Sequence, residues 1–436
     1  ADKALMDALA ATTGKTRIGV INSLGVRRIP AAVPKLALLA KDADSAVAGA
    51  AAAALAKTGG PEAARALAKA RPEANSPAFA AWADAYLRAA DQLRADGKLD
   101  WAAKIYQGMR AESLPDPVRV AAFIGYVNTQ GEQALSEVVA ALAGSDAALT
   151  DAATGFVRTM PGKKATDAFL EVFPKLVPEG QVLLLSALAD RGDPAARPAA
   201  AEAAKSENAD VRLAALSALD RLGDASTAPL LAAAAAAARD KAERDVARTS
   251  LDRLRGPDVD GAMAALLQSA EPAQKAEVAR SLGARNAAAA VPALLHAAAD
   301  ANEDVRKEAF KSLGALATEK DLHTLVALLI KEQAEGARRE AERAVVQVAK
   351  AIPEESRRDR AILDALSPAS SEAARTAIYA VLGQVGAPGG LEVLRNAVKE
   401  SDGAIQDAAI RALAGWPTPE AVDDLLVLAQ AARNET

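Results

Sequence analysis

The sequence predicts an all-α chain: a right-handed α-solenoid of stacked antiparallel helical hairpins, about 31 residues per repeat. Three observations predict it. By direct count roughly a quarter of the 436 residues are Ala, the strongest helix former, whose small side chain lets helices approach closely. Aromatic residues make up only 3%, too few to fill one thick central core, so many thin helix–helix layers are favoured over a single globule. A short apolar motif also recurs at a nearly fixed interval, the sequence signature of a repeat array.

The recurring unit is seen by comparing Val211–Leu219 with Val305–Leu313, both of which read V-R-x-x-A-Φ-x-x-L with Φ apolar. Its last residue is a landmark, found at Leu24, Leu55, Tyr126, Val157, Leu188, Leu219, Leu254, Leu282, Leu313, Val345, Leu382 and Leu413. Six of the eleven intervals are 31 residues, room for two helices of about 11 to 12 residues and two short turns. Each unit is therefore a helical hairpin. The landmark lies on its second helix, where residues such as Val305, Ala309, Leu313 and Leu316 fall three or four apart and make one buried stripe.

Each element has its own signal. The second helix opens with residues whose side-chain oxygens can cap free backbone N–H groups, such as Asn208 and Asp210, Asn302 and Asp304, or Ser370 and Ser371. Gly25, Gly283, Gly314 and Gly383 follow the landmark directly, and Gly223 and Gly386 lie three or four residues beyond, where helix ends and close packing favour a missing side chain. The next first helix starts near Pro34, Pro61, Pro194, Pro229, Pro292 or Pro388, since proline is tolerated in a first turn. The interval from Leu55 to Tyr126, at 71 residues, exceeds two units by nine. It predicts two longer helices, roughly 78–95 and 98–111, joined by a turn at Gly97, and seven of the thirteen aromatics fall between 79 and 126.

The stretch Pro292-Ala-Leu-Leu-His-Ala-Ala-Ala-Asp300, followed by Asp304-Val305-Arg306 and Ser312-Leu313-Gly314, resembles a HEAT-type repeat of the short bacterial kind, and the likeness covers nearly the whole chain. On this resemblance, residues 1–70 and 113–436 are HEAT-like repeats, and 71–112 is an inserted hairpin similar to a tetratricopeptide unit. The resemblance also implies a polar ladder between hairpins, with a turn Asp matching Asp300 and an Arg matching Arg306. Seven residues before the landmark stand Arg17, Arg119, Arg212, Arg306, Arg338 and Arg375, with Lys275 in a seventh unit. Ala48, Thr150, Gln181, Ala247 and Gln406 hold the place elsewhere, so a discontinuous ladder is expected.

Function is constrained mainly by what is missing. Cysteine is absent, removing disulfides, thiolate metal sites and cysteine nucleophiles. His296 and His323 are the only histidines, fall at different repeat positions, and do not form the His-Glu motifs of HEAT-repeat hydroxylases. No phosphate-binding glycine loop or nucleophile-elbow motif occurs, so neither catalysis nor a cofactor is expected. A net charge of −5 lacks the basic excess of a general nucleic-acid binder, and no apolar stretch reaches the roughly 18 to 20 residues of a membrane span.

Two groups of residues are candidate contacts. Two residues before the landmark, the C-terminal half carries Asp252, Arg280, Lys311, Arg343, Ala380 and Arg411. The N-terminal half has Asn22, Ala53, Ile124, Gly155, Ser186 and Ser217 there. The cations Arg280, Lys311, Arg343 and Arg411 could grip an acidic peptide, an anionic glycan or a phosphate backbone, or could form a solvated face interleaved with Glu308, Glu342 and Asp407. Trp82, Tyr86 and Trp101 either pack the longer hairpin or offer an aromatic platform to a partner.

The expected function is a non-enzymatic, monomeric scaffold that binds a protein, or a covalently attached domain outside this chain, on an extended concave surface. The alternatives are binding or processing of an anionic substrate along the cation row, and an accessory module of a larger exported carbohydrate-active or haem protein. The last rests on Ile18-Gly-Val-Ile-Asn-Ser-Leu-Gly25 and Gln181–Asp193, which resemble HEAT arrays of exported bacterial proteins. With the lack of cysteine, this leans towards an exported, periplasmic bacterial protein over a cytoplasmic one. Ala1 in place of Met, and a single first helix at Pro419–Ala432 before Arg433 to Thr436, suggest an array continued beyond this chain.

Overall fold

A computed structural model describes the backbone of residues 2–434 and the side chains of residues 2–430; Ala1, Glu435 and Thr436 lie outside the described residues. Among these, all regular structure is helical and no strand occurs. The chain divides into two compact units, 1–196 and 197–436, and each is a solenoid of stacked helical hairpins.

In the first unit the successive inner helices are Gly14–Val26, Ser45–Thr58, Phe79–Ala95, Asp116–Gln130, Ala147–Thr159 and Pro178–Arg191, each packed on the next. In the second they are Ala209–Leu222, Lys241–Arg253, Pro272–Ala284, Glu303–Leu316, Glu335–Lys350, Glu372–Val385 and Gly403–Ala414. Shorter outer helices alternate with them, several begun by a 3₁₀ turn and a proline, as at Ala288–Ala290 and Pro292. Capping follows the sequence signals: Asn208 accepts from Val211 N–H, Asn302 from Asp304 and Val305 N–H, and Ser371 from Ala374 N–H. Every landmark is buried except Tyr126, a half-buried ring that lies 5.0 Å from the Arg110 guanidinium.

The 71-residue interval is resolved differently from the expected insertion. Helix Phe79–Ala95 stacks on Ser45–Thr58 as the next inner helix, and Leu99–Gly108 packs against both Phe79–Ala95 and Asp116–Gln130. The two helices thus belong to consecutive hairpins of the array. The surplus residues sit in the turn 70–78 and in a 17-residue inner helix.

Gly25, Gly283, Gly314 and Gly383 lie inside helices, where close packing explains them, while Gly223 and Gly386 end theirs, Gly386 in the left-handed region at φ 72°. A Cβ at Gly25 would stand 2.7 Å from Ala54 Cα, and one at Gly383 would stand 2.7 Å from the Ala412 carbonyl oxygen. Gly283 and Gly314 similarly face Ser312 and Ala344, so each of these four meets the residue just before the next landmark. Neighbouring inner helices touch backbone to backbone there, a separation that side chains would forbid.

Candidate binding surface

The inner helices present one face to their own hairpin and one to solvent. Two residues before the landmark, the side chain is exposed or half-exposed in every repeat, as the spacing predicts. At the five landmarks of the first unit this row is uncharged, while its inner helix Phe79–Ala95 exposes the pair Asp84–Arg88.

In the second unit the expected cation row is a row of ion pairs. Arg280 forms a two-pronged pair with Asp252, at 2.6 and 3.1 Å, and also approaches Glu277, itself held by Arg248 through two bonds of 2.7 Å. Arg280 is three-quarters buried in this network, so it is not a free cation. Lys311 pairs with Glu308 at 2.6 Å and Arg343 with Glu340 at 2.8 Å, both one helical turn away. Glu277, Glu308 and Glu340 each stand five before a landmark, three before the cation, where i,i+3 neighbours on a helix meet. Arg411 alone of the four has no ion pair among the described residues; it lines a recess of about 360 Å³ with Thr376, Ala380 and Gln384. The face carries alternating charge, not accumulated positive charge.

The aromatic candidates are packed. Trp82 is 3% exposed and donates its indole N–H to the Leu67 carbonyl at 2.8 Å, so it offers no platform to a partner. Its ring stacks on Tyr86, 5.2 Å between centroids, and burial raises the Tyr86 phenol above its ordinary pKa, against the opposing charge of Arg71. Trp101 is half-buried beneath the Arg65 guanidinium, 4.8 Å from the ring centre.

The polar ladder is present and more elaborate than the motif implied. Arg306 donates to the carbonyls of Asp300 and Ala301, which close its own outer helix, and reaches Glu332 in the next hairpin at 2.7 and 3.1 Å. Lys275 likewise reaches Asp300 at 3.0 Å, Arg212 reaches Glu243, and Arg119 pairs with Asp146. Asp300 therefore answers the cation of the preceding hairpin. Burial works to raise its carboxyl, but hydrogen bonds from Asn302 N–H and Lys275 hold it below the usual carboxylate range; Glu332 is held low in the same way by Arg306 and Ala334 N–H. Where arginine is absent, Thr150, Gln181 and Gln406 still donate to the carbonyls of the preceding outer-helix segment. The cause is shared: carbonyls at a helix end lack intrahelical partners.

A second set of arginines, which the sequence reading did not single out, stands three residues past the landmark. Arg191 donates to the carbonyls of Val157, Met160 and Gly162, and Arg285 to those of Leu251, Asp252 and Leu254, closing the preceding inner helix in each case. Arg27, Arg191 and Arg285 also reach Asp2, Thr166 and Asp260, each 25 residues earlier. That constant spacing was the available signal. The two histidines are exposed and occupy different repeat positions, His323 lying 3.3 Å from Asp364, and no group of three or more His, Cys, Asp or Glu able to hold a metal occurs among the described residues. No described helix is long and apolar enough to cross a membrane.

No curated protein matches the chain by sequence. Among solved structures, Kap121p bound to RanGTP is 13% identical over 94% of this chain and 52% of its own, with a TM-score of 0.45. Kap95p, in a complex with RanGDP, is 14% identical over 99% and 68% of the two chains, at 0.42. Human deoxyhypusine hydroxylase in complex with glycerol is 20% identical over 58% and 98%, at 0.27. The chain spans about half the length of Kap121p. The family model for HEAT repeats matches residues 3–88, 259–345 and 360–436, more than half of the sequence. With its hairpins, landmarks and ladder in the same register, the chain belongs to the HEAT-repeat family.

Proposed function

We propose that the chain is a non-enzymatic scaffold that binds a protein partner on the solvent face of its inner helices. The observation that carries this reading is the charge pattern of that face. Two residues before the landmark it is uncharged in the first unit, at Asn22, Ala53, Ile124, Gly155 and Ser186, with the paired charges Asp84–Arg88 and Arg158–Asp190 nearby, and it alternates acid and base in the second, through Glu277–Arg280, Glu308–Lys311 and Glu340–Arg343. A polyanion needs accumulated positive charge, whereas a protein surface of mixed polarity is matched by neutral patches and charges of both signs. The interleaved acids therefore favour a protein over a nucleic acid or an anionic glycan.

The test is site-specific cross-linking in the native host. Photoreactive residues at Ser186, Lys311 and Arg343 on inner helices should give a discrete adduct with one protein, while Lys35 and Lys399 on outer helices should not. The partner, once identified and purified, should lose affinity for a Lys311→Glu/Arg343→Glu/Arg411→Glu variant whose helical signal is unchanged. Adducts from the outer positions alone would refute the assignment.

A further inference from the structure

At the second repeat the ladder rung lacks both its members, as it does at Ala247 and Pro272. In a complete rung, the residue seven before the landmark is a cation that reaches the third residue past the next outer helix, as Lys275 reaches Asp300 and Arg306 reaches Glu332. At the second repeat the cation position is Ala48, and the third residue past the outer helix Gly60–Lys69 is Pro72. Where the rung would lie, a cleft of about 520 Å³ opens between the turns at 40–45 and 69–78.

The cleft keeps positive charge without its counterpart. Lys41, Lys69 and Arg71 line it, and none has an ion pair among the described residues, in contrast to the arginines of the complete rungs. Arg71 is poised over the Trp82 ring, 5.8 Å from its centre, with no carboxylate at its guanidinium. Asp42 is the one acid in the lining, accepting from Asp44 N–H at 2.9 Å through Oδ1, and leaves the three cations of the lining in excess, with Glu73 exposed in the turn beyond Arg71. The Ser76 hydroxyl oxygen is buried at the cleft with no hydrogen-bond partner. A buried donor left unsatisfied costs free energy that a ligand acceptor would recover. The first unit has 22 basic and 21 acidic residues, so it does not repel an anion as the second, with 30 and 36, would.

We propose that this cleft docks an acidic peptide segment of a protein partner, an Asp or Glu carboxylate of which takes the place of the absent turn acid between Lys41, Lys69 and Arg71. A carboxylate is the group that completes the other rungs, and the alanine and proline side chains around it suit the aliphatic part of a peptide better than a bare inorganic ion. The proposal rests on the scaffold reading only in making the partner a protein, and it concerns a site away from the charged row of the second unit.

The experiment measures fluorescence anisotropy of a labelled decapeptide with four Glu residues, titrated with the full chain, beside a control peptide with Gln at those places. The Glu peptide should bind, weaken as salt rises from about 50 to 200 mM, and exceed the Gln control by about tenfold or more. Lys41→Glu/Lys69→Glu, both exposed, should weaken it by about tenfold or more with an unchanged melting temperature. Lys311→Glu/Arg343→Glu should leave it unaltered. Equal binding by the Lys41→Glu/Lys69→Glu variant, loss on reversing the second-unit pair, or displacement by free glutarate at the same concentration as the peptide would each overturn the proposal. Cross-links from the inner helices are independent of these outcomes, so the two readings fail separately.

Discussion

Replacing Arg212 by methionine tests whether the ladder holds hairpins together or merely decorates their edge. The Arg212 side chain is 6% exposed and Glu243 9%. Arg212 donates to Glu243 at 3.1 and 3.3 Å and to the carbonyls of Ser206 and Glu207 at 2.8 and 3.1 Å. Methionine keeps much of the packing and removes every donor. Glu243 is then left buried without its counter-charge, and breaking a buried pair on one side costs about 3–5 kcal/mol. The two carbonyls add less, since Glu207 is exposed and water can reach it. Arg212→Met/Glu243→Met removes both charges and should recover most of the loss, within about 1–2 kcal/mol of wild type. Hydrogen exchange read by mass spectrometry over residues 209–253 reports this locally. At 1.36 kcal/mol per decade, exchange in helices Ala209–Leu222 and Lys241–Arg253 should accelerate by roughly two to nearly four decades in the single variant. A single variant within about 0.5 kcal/mol of wild type, or a double variant as unstable as the single, would refute the argument.

Other consequences are equally direct. Gly383→Ala should destabilise by about 1–3 kcal/mol because the new Cβ meets the Ala412 backbone, whereas Gly155→Ala, in a helix with nothing within 4 Å, should stabilise by up to about 1 kcal/mol; urea unfolding that moves both the same way would contradict the packing described. Leu313→Ala and Leu219→Ala should each cost about 2–5 kcal/mol, and Lys311→Ala about 0.5 or less, so equal losses at the three sites would show the register to be wrong. Asp300 and Glu332 titrate lower folded than unfolded, so their stabilisation is complete above the unfolded carboxylate range near pH 4 to 4.5 and is lost as pH falls through their folded values. The urea midpoint should accordingly be flat from about pH 6 to 5 and fall below about 4.5, and an Asp300→Asn/Glu332→Gln chain whose decline parallels wild type would rule out these two groups as its source.

The array was legible because its determinants are local. A buried stripe, a cap and a proline each announce themselves within a few residues, and Leu313, Asn302 and Pro292 do what their spacing predicts. Interactions between hairpins were legible only where both partners are side chains on a repeated grid. Arg285 escaped because its main acceptors are backbone carbonyls, which every residue possesses and no letter marks. The pairing of Arg280 escapes the sequence because its acid partner, Asp252, lies 28 residues away and becomes a neighbour only once inner helices stack. The helices at 79–95 and 99–108 suggested an inserted hairpin because their aromatics set them apart in composition, yet position in a solenoid is assigned by stacking. The cleft beside Ala48 is a place where two expected residues are missing, and absence becomes visible only after the complete rungs are known.

The interruption at Arg338 has a thermodynamic consequence of its own. From Arg212 to Arg306 each inner helix is clamped to the next hairpin by a charged pair, but Arg338 bonds only to the carbonyls of Glu332 and Gln333, since Ser367, the third residue past the next outer helix Arg360–Asp364, is not an acid. The ion pair Arg357–Glu319 and the His323–Asp364 contact, which also cross this junction, are exposed and contribute little. In a nearest-neighbour lattice of repeats, the boundary between folded and melted segments settles at the weakest coupling. For this unit that is the junction between helices Glu335–Lys350 and Glu372–Val385, so under rising denaturant the hairpins beyond it should melt as one block while those before it stay closed.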